Sequence, residues 1–299
     1  MDKLRRFNIG LIYYTILVIL WGAWVRISKS GDGCGEHWPL CHGEWIPNSK
    51  PVATWIEFSH RLSTGIYGIL ILIFVYKAYK FKDRAVFRAS LWVLFFTITE
   101  SLIGAQLVLK GLVGSDASLA RAYWMGIHQV NSMFLTGALV LCYDFICNPH
   151  LGGFRRYWLS FSKYSGMIVL FLFVASAGAL AALSGTLFPS EDLLTAIFKD
   201  FSEESHIFVR LRLSHPLLAT CFALVIFYVI SSQREALDMY RRRSRGLVFL
   251  TVVAVGIGYF TLFSLSPDYL KVTHLGMAHI LWMYFLLWIN SASKEGSIY

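Results

Sequence analysis

The chain has 299 residues, is 56% hydrophobic with a mean hydropathy of +0.56, and carries a formal charge of +9. Average soluble chains are roughly 45–50% apolar, so this composition excludes an ordinary water-soluble domain. The positive charge alone would suit nucleic acid, but its placement along the chain excludes that partner as well.

Eight apolar runs follow one another, each near the length that crosses a hydrocarbon core about 30 Å thick. The first, at 7–26, sits behind Lys3, Arg5 and Arg6. It lacks the small-residue cleavage site of a signal peptide and runs to full spanning length, so it reads as a helix. A loop rich in Gly and Pro comes next, with Cys34, His37, Cys41 and His42 inside GCGEHWPLCHG. Two readings stand for it: a disulfide, permitted in an oxidising compartment, or a metal site that recruits the histidines. The second run, 54–77, holds Glu57 and His60; the third, 89–109, holds Glu100 and Gly104; the fourth, 119–146, holds His128. Beyond the joint at 148–163 lie runs at 164–184, 207–231, 247–265 and 271–291, with His215 in the sixth and both His274 and His279 in the eighth. Cys142, Cys147 and Cys221 fall in or near the spans, where cysteine acts as a small buried hydrophobe.

Charge gives the expected topology. If the N-terminus is cytoplasmic, the inside segments collect 17 of the 27 basic residues, among them Lys77 to Arg88, Arg155, Arg156, Arg234, Arg241 to Arg245 and Lys294. The positive-inside rule then puts both termini in the cytoplasm. A duplication is also legible. Gly22 recurs as Gly178 at an offset of 156, His60 as His215 at 155, Gly104 as Gly258 at 154, and His128 as His279 at 151. An even number of spans separates equivalent points, which gives two four-helix units of one orientation. The expected fold is therefore an all-α polytopic membrane protein with eight transmembrane helices in two tandem pseudo-symmetric four-helix bundles, residues 1–150 and 151–299. The same register selects His279 over His274 as the partner of His215 and leaves His274 near the outer mouth.

Ionisable side chains cost on the order of 2.5 kcal/mol or more at a span's centre, so they tend to face a bundle interior and mark a site. Neutral imidazole binds iron well, and a four-helix bundle can hold a flat macrocycle between axial ligands from facing helices. His60 with His128 and His215 with His279 form the two expected pairs; the bland reading has each histidine bonded to a core carbonyl. Zinc suits the spans less well, because no further Cys, Asp or Glu completes a tetrahedral set. Glu57 stands one turn before His60 on the same helix face, as a proton-exchanging group or as a carboxylate orienting the imidazole. The matching position before His215 is Arg212, a cation suited to a haem propionate. Arg26, Arg61 and Arg121 lie near the outer interface, where either propionates or lipid headgroups could meet them.

At these residues the chain resembles the haem A synthase family. The resemblance is carried by GAWVRISKSGDGCGEHWPLCHG at 22–43, IEFSHR at 56–61, ESLIGAQLV at 100–108 and GIHQ at 126–129, and it weakens in the second half. It implies oxidation of the C8 methyl of haem O to a formyl group by successive hydroxylations in a bacterial cytoplasmic membrane. On this resemblance His60 and His128 flank the substrate haem O, Glu57 is the catalytic carboxyl, and Cys34 pairs with Cys41; Arg61 and Arg212 are, from their positions, the expected haem-contacting cations. His215 and His279 would ligate a haem b that relays electrons. Haem O synthase, an electron donor, membrane lipid and a second copy of the chain are the implied partners. The departures are a second outer loop without a Cys pair, Pro216 after His215 where Arg is usual, and Glu100 where Gln is expected. The rival reading is a non-catalytic di-haem electron carrier of the quinol-oxidising kind, which four histidines would serve equally; a haem exporter or chaperone is a third.

Overall fold

The computed structural model describes residues 2–48, 51–148, 158, 161–232 and 238–292. The expected joint at 148–163 and the basic residues Arg155, Arg156, Arg234 and Lys294 thus fall wholly or mostly outside the described residues. Ten helices are described: α1 Asp2–Ile27, α2 Val52–Lys80, α3 Arg84–Leu109, α4 Leu119–Cys147, α5 Ser165–Leu187, α6 Leu193–Phe201, α7 Ile207–Leu211, α8 Ser214–Ser232, α9 Asp238–Phe263 and α10 Asp268–Ala292. Eight spans are long and apolar enough to cross a membrane, α7 and α8 together making the sixth, and no strand occurs among the described residues. This is a multi-pass, all-helical membrane protein.

The spans end where local chemistry ends them. Asp83 caps α3 by accepting from the backbone N–H of Ala85 and Val86 at 2.8 and 3.0 Å, and Ser118 caps α4 through the N–H of Arg121. Pro216 explains the step between α7 and α8: its ring crowds the carbonyl four residues back, at Arg212, where the first short helix stops.

In lipid, helices associate through close van der Waals fit and interhelical hydrogen bonds rather than by escaping water. Helix α4 is the axis of that fit, with 72% of its apolar stretch buried against 17–44% in the other spans. It packs on α1 and α3 on one side and on α5 and α10 on the other. Gly137 makes the second contact possible: a Cβ there would stand 2.9 Å from Leu286 Cδ1 and 3.1 Å from Trp282 Nε1. The indole then donates to Met133 O at 2.6 Å. At the far end of α4 the buried Asp144 accepts from Asn290 of α10 and lies 3.7 Å from Arg243 of α9. Leu17, Ile69, Leu72, Phe95, Phe173, Leu224 and Phe249 stand exposed around the bundle, as lipid contact requires.

The segment between α5 and α7, the second outer loop of the sequence, contains α6. Asp192 caps it, and the backbone N–H and hydroxyl of Thr195 hold that carboxyl below the usual carboxylate range. One face of α6 is apolar and exposed through Leu194, Ile197, Phe198 and Phe201.

Candidate functional site

The α1–α2 connection folds back onto the first turns of α2. Gly33 is needed there, since a Cβ would fall 2.5 Å from Ala53 O, and its own carbonyl accepts from Thr54 Oγ1 at 2.6 Å and from His42 Nε2 at 2.8 Å. Cys34 and Cys41 are disulfide-bonded, which settles the two readings of this loop. Among the described residues no group of three or more His, Cys, Asp or Glu is placed to hold a metal ion.

Glu57, 3% exposed, is the anchor of that loop. Its Oε2 accepts from the Cys34 N–H at 2.8 Å, and its Oε1 accepts from Arg61 Nε at 3.0 Å and from Arg61 Nη2. Arg61 in turn donates from Nη1 to the carbonyls of His37 and Leu40 at 2.5 and 2.7 Å. The guanidinium expected to contact a haem is thus engaged by Glu57 and the loop. Arg212 is engaged in the same way: its Nε lies 2.5 Å from Asp200 Oδ1 and its Nη2 donates to Ala196 O at 3.0 Å, which docks α6. Arg121 is buried and donates to Gly114 O and Asp116 O.

Four imidazoles are seated in one manner, each ring against a glycine of the neighbouring helix. A Cβ on Gly22 of α1 would lie 3.1 Å from His60 Cε1, and one on Gly178 of α5 would lie 3.0 Å from His215 Cε1. One on Gly258 of α9 would lie 2.9 Å from His274 Cε1, and one on Gly104 of α3 would lie 3.8 Å from His128 Cε1. His60 and His128 lie within electrostatic reach of each other. His215 and His274 face each other with ring centres 5.8 Å apart and planes at 73°.

The structure brings His215 together with His274 and does not bring it to His279. His279 is fully buried at the seam between α10 and α4, with its Nδ1 3.2 Å from Thr136 Oγ1 and its Nε2 3.5 Å from Gln129 Nε2. The connections that precede these histidines differ in length: 110–118 joins α3 to α4, whereas 264–267 joins α9 to α10.

These residues fit a flat metal macrocycle better than a bare ion. The macrocycle supplies its own in-plane ligands and asks the protein for two imidazoles. His215 and His274 would each offer an imidazole to such a group from facing helices, their ring centres 5.8 Å apart. His215 Nδ1 already donates to Val174 O at 3.0 Å, which fixes the tautomer that leaves Nε2 free to ligate. Buried Nδ1 atoms of His60, His128 and His274 have no hydrogen-bond partner among the described residues.

Eight apolar spans, four of them carrying a histidine seated against a glycine of the neighbouring helix, define a helical membrane protein with imidazoles inside its bundle. Residues 5–286 match the COX15-CtaA family, described as cytochrome oxidase assembly protein, and the chain belongs to that family. Proteins named protoheme IX farnesyltransferase in two strains of Thermus thermophilus are 34% identical over 306 aligned residues, covering 99% of this chain and 49% of their own. The chain therefore spans about half the length of these relatives. Proteins named haem A synthase are 30% identical over 281 residues in an Exiguobacterium species, covering 91% of this chain and 87% of theirs, and 29% identical over 254 residues in Exiguobacterium sibiricum, covering 83% and 80%.

Proposed function

We propose that this chain is a haem A synthase of a bacterial cytoplasmic membrane, oxidising the C8 methyl of haem O to a formyl group by successive hydroxylations. The observation that carries the reading is the set of four imidazoles in glycine notches, found in a chain similar to proteins named haem A synthase. His60 and His128 hold the substrate haem, and His215 with His274 hold a resident haem b. When bound, that haem b supplies one-electron transfer towards the first site. Both termini are cytoplasmic, the two four-helix halves descend from one unit, and the disulfide loop faces outward; the basic residues near the opposite helix ends support this orientation.

Within this reading each side chain has a defined task. The notches hold the rings of His60 and His128 in place before ligand arrives, so little reorganisation accompanies binding. Glu57 is the acid–base group of the first site, its Oε1 fixed by Arg61 and its Oε2 by the Cys34 amide, one helical turn from His60. Arg61 and the disulfide loop close the end of that site against water. Haem O is scarcely soluble, so direct transfer from a farnesyl-transferring enzyme is proposed. The match to half of a protein named protoheme IX farnesyltransferase supports it.

The test is expression in a host that supplies haem O, followed by haem extraction and chromatography. The intact chain should yield haem A and a Glu57→Ala variant little. Folded protein that yields none ends the enzyme reading. One observation favours the rival di-haem carrier: both oxygens of Glu57 are already engaged in anchoring a loop. A carrier would purify with two firmly held b-type haems, whereas the synthase holds one and carries haem O or A beside it.

A further inference from the structure

Glu100 of α3 is absorbed by neither the notches nor the loop, although it sits one turn before Gly104 in a membrane-spanning helix. Its Oε1 lies 3.4 Å from His128 Nδ1. Its Oε2 accepts from Asn131 Nδ2 at 2.6 Å. Asn131 stands three residues after His128 on the same face of α4. Its amide orientation is determined by its neighbours. The atom 3.0 Å from the Phe96 carbonyl must be the NH2 nitrogen, because a carbonyl can only accept. Asn131 Oδ1 then accepts from Thr99 Oγ1 at 2.8 Å. Asn131 thus pins Glu100 with its second oxygen turned to the imidazole.

A histidine that binds iron through Nε2 carries its proton on Nδ1 and needs an acceptor there. Among the four notch-seated histidines the acceptors differ. His215 has the Val174 carbonyl, and His60, His128 and His274 have no Nδ1 hydrogen bond among the described residues. His128 alone of the four has a carboxylate oxygen beside its Nδ1, Glu100 Oε1 at 3.4 Å. At the 154-residue offset of the glycines the second half has Ala254, so the device exists on one side only.

Resting on the haem-binding reading above, we propose that Glu100, pinned by Asn131, is a positioning residue that accepts the Nδ1–H of His128 and makes this imidazole the strongest axial donor of the four. A carboxylate acceptor raises the basicity of a ligating imidazole and commonly changes metal affinity by about 10–100-fold when removed. A stronger donor stabilises the more oxidised iron, so the carboxylate lowers the potential of the first haem relative to the same site without it. Its haem is the one whose methyl is to be oxidised. Electrons and ligand strength are thereby set differently in two sites that share the same notch geometry.

The test is potentiometric titration of the purified, haem-loaded chain in detergent, with the second haem's wave assigned by its loss in a His215→Ala variant. Glu100→Gln should raise the potential of the first haem, leave the second where it is, and alter the ferric low-spin resonance signal of the first haem alone. Asn131→Ala, which frees the carboxylate without removing it, should move the same wave in the same direction by less, and it serves where Glu100→Gln does not fold. Glu100→Asp, keeping the charge, should bring the potential part of the way back. Two bound haems with unmoved potentials in both Glu100→Gln and Asn131→Ala would overturn this inference alone. A wild-type chain that holds no haem would overturn the underlying reading with it.

Discussion

The glycine notches allow a graded perturbation whose outcome follows from four distances. Adding a Cβ at position 258 places it 2.9 Å from His274 Cε1, whereas at position 104 it meets His128 Cε1 at 3.8 Å, an ordinary van der Waals contact. In Gly258→Ala the imidazole must retreat by nearly an ångström, or α9 and α10 must part; overpacking of this kind costs about 1–3 kcal/mol. Alanine is also the better helix former, by about 1 kcal/mol, so Gly104→Ala should be neutral or slightly stabilising. Gly178→Ala and Gly22→Ala, at 3.0 and 3.1 Å, should behave like Gly258→Ala. The assay pairs thermal unfolding in detergent with the haem-to-protein ratio. Expected are a normal ratio for Gly104→Ala, loss of the second haem in Gly258→Ala and Gly178→Ala, and loss of the first in Gly22→Ala. Equal loss of haem in Gly104→Ala and Gly258→Ala would refute the reasoning, because contact distance would then not govern the seat.

Three further outcomes separate ligands from scaffolding. His274→Ala should remove one haem, whereas His279→Ala should keep both and lower stability by about 1–3 kcal/mol through the cavity left and the Gln129 amide deprived of its partner; pigment stoichiometry and unfolding midpoints distinguish them. Replacing Cys34 and Cys41 together by Ser should cost about 2–3 kcal/mol, the loop entropy of a bridge spanning seven residues of separation, and unfolding with and without reductant measures it. Arg212→Ala should destabilise by about 3–5 kcal/mol, as removal of one partner of a buried ion pair does. It should leave the second haem's absorbance intact, since the guanidinium holds Asp200 rather than a propionate; loss of that haem with no loss of stability would contradict the assignment.

The eight spans were legible because lipid imposes a length and an apolar composition on each of them. Glu57 and His60 were legible as a pair because a three-residue step on a helix puts both side chains on one face. What they touch was not legible: the partners of Glu57 come from a loop whose path depends on Gly33 approaching the backbone of α2. That His274 rather than His279 lies beside His215 was not legible, because a count along the chain does not register the length of each connection. Arg212 looked like a free cation since its acid, Asp200, lies on a helix hidden within an acidic stretch. Glu100 was legible as a carboxyl within a span, but its partners form a network from two helices, fixed by a single backbone carbonyl at Phe96.

The most direct measurement is the identity and amount of iron porphyrin extracted from the purified chain after growth with haem O available. Wild type should carry close to two haems per chain, one b-type and the other O or A, falling to one in either His128→Ala or His274→Ala and remaining at two in His279→Ala. Folded wild-type protein that is colourless, or that loses a haem with His279 and not with His274, would contradict the account.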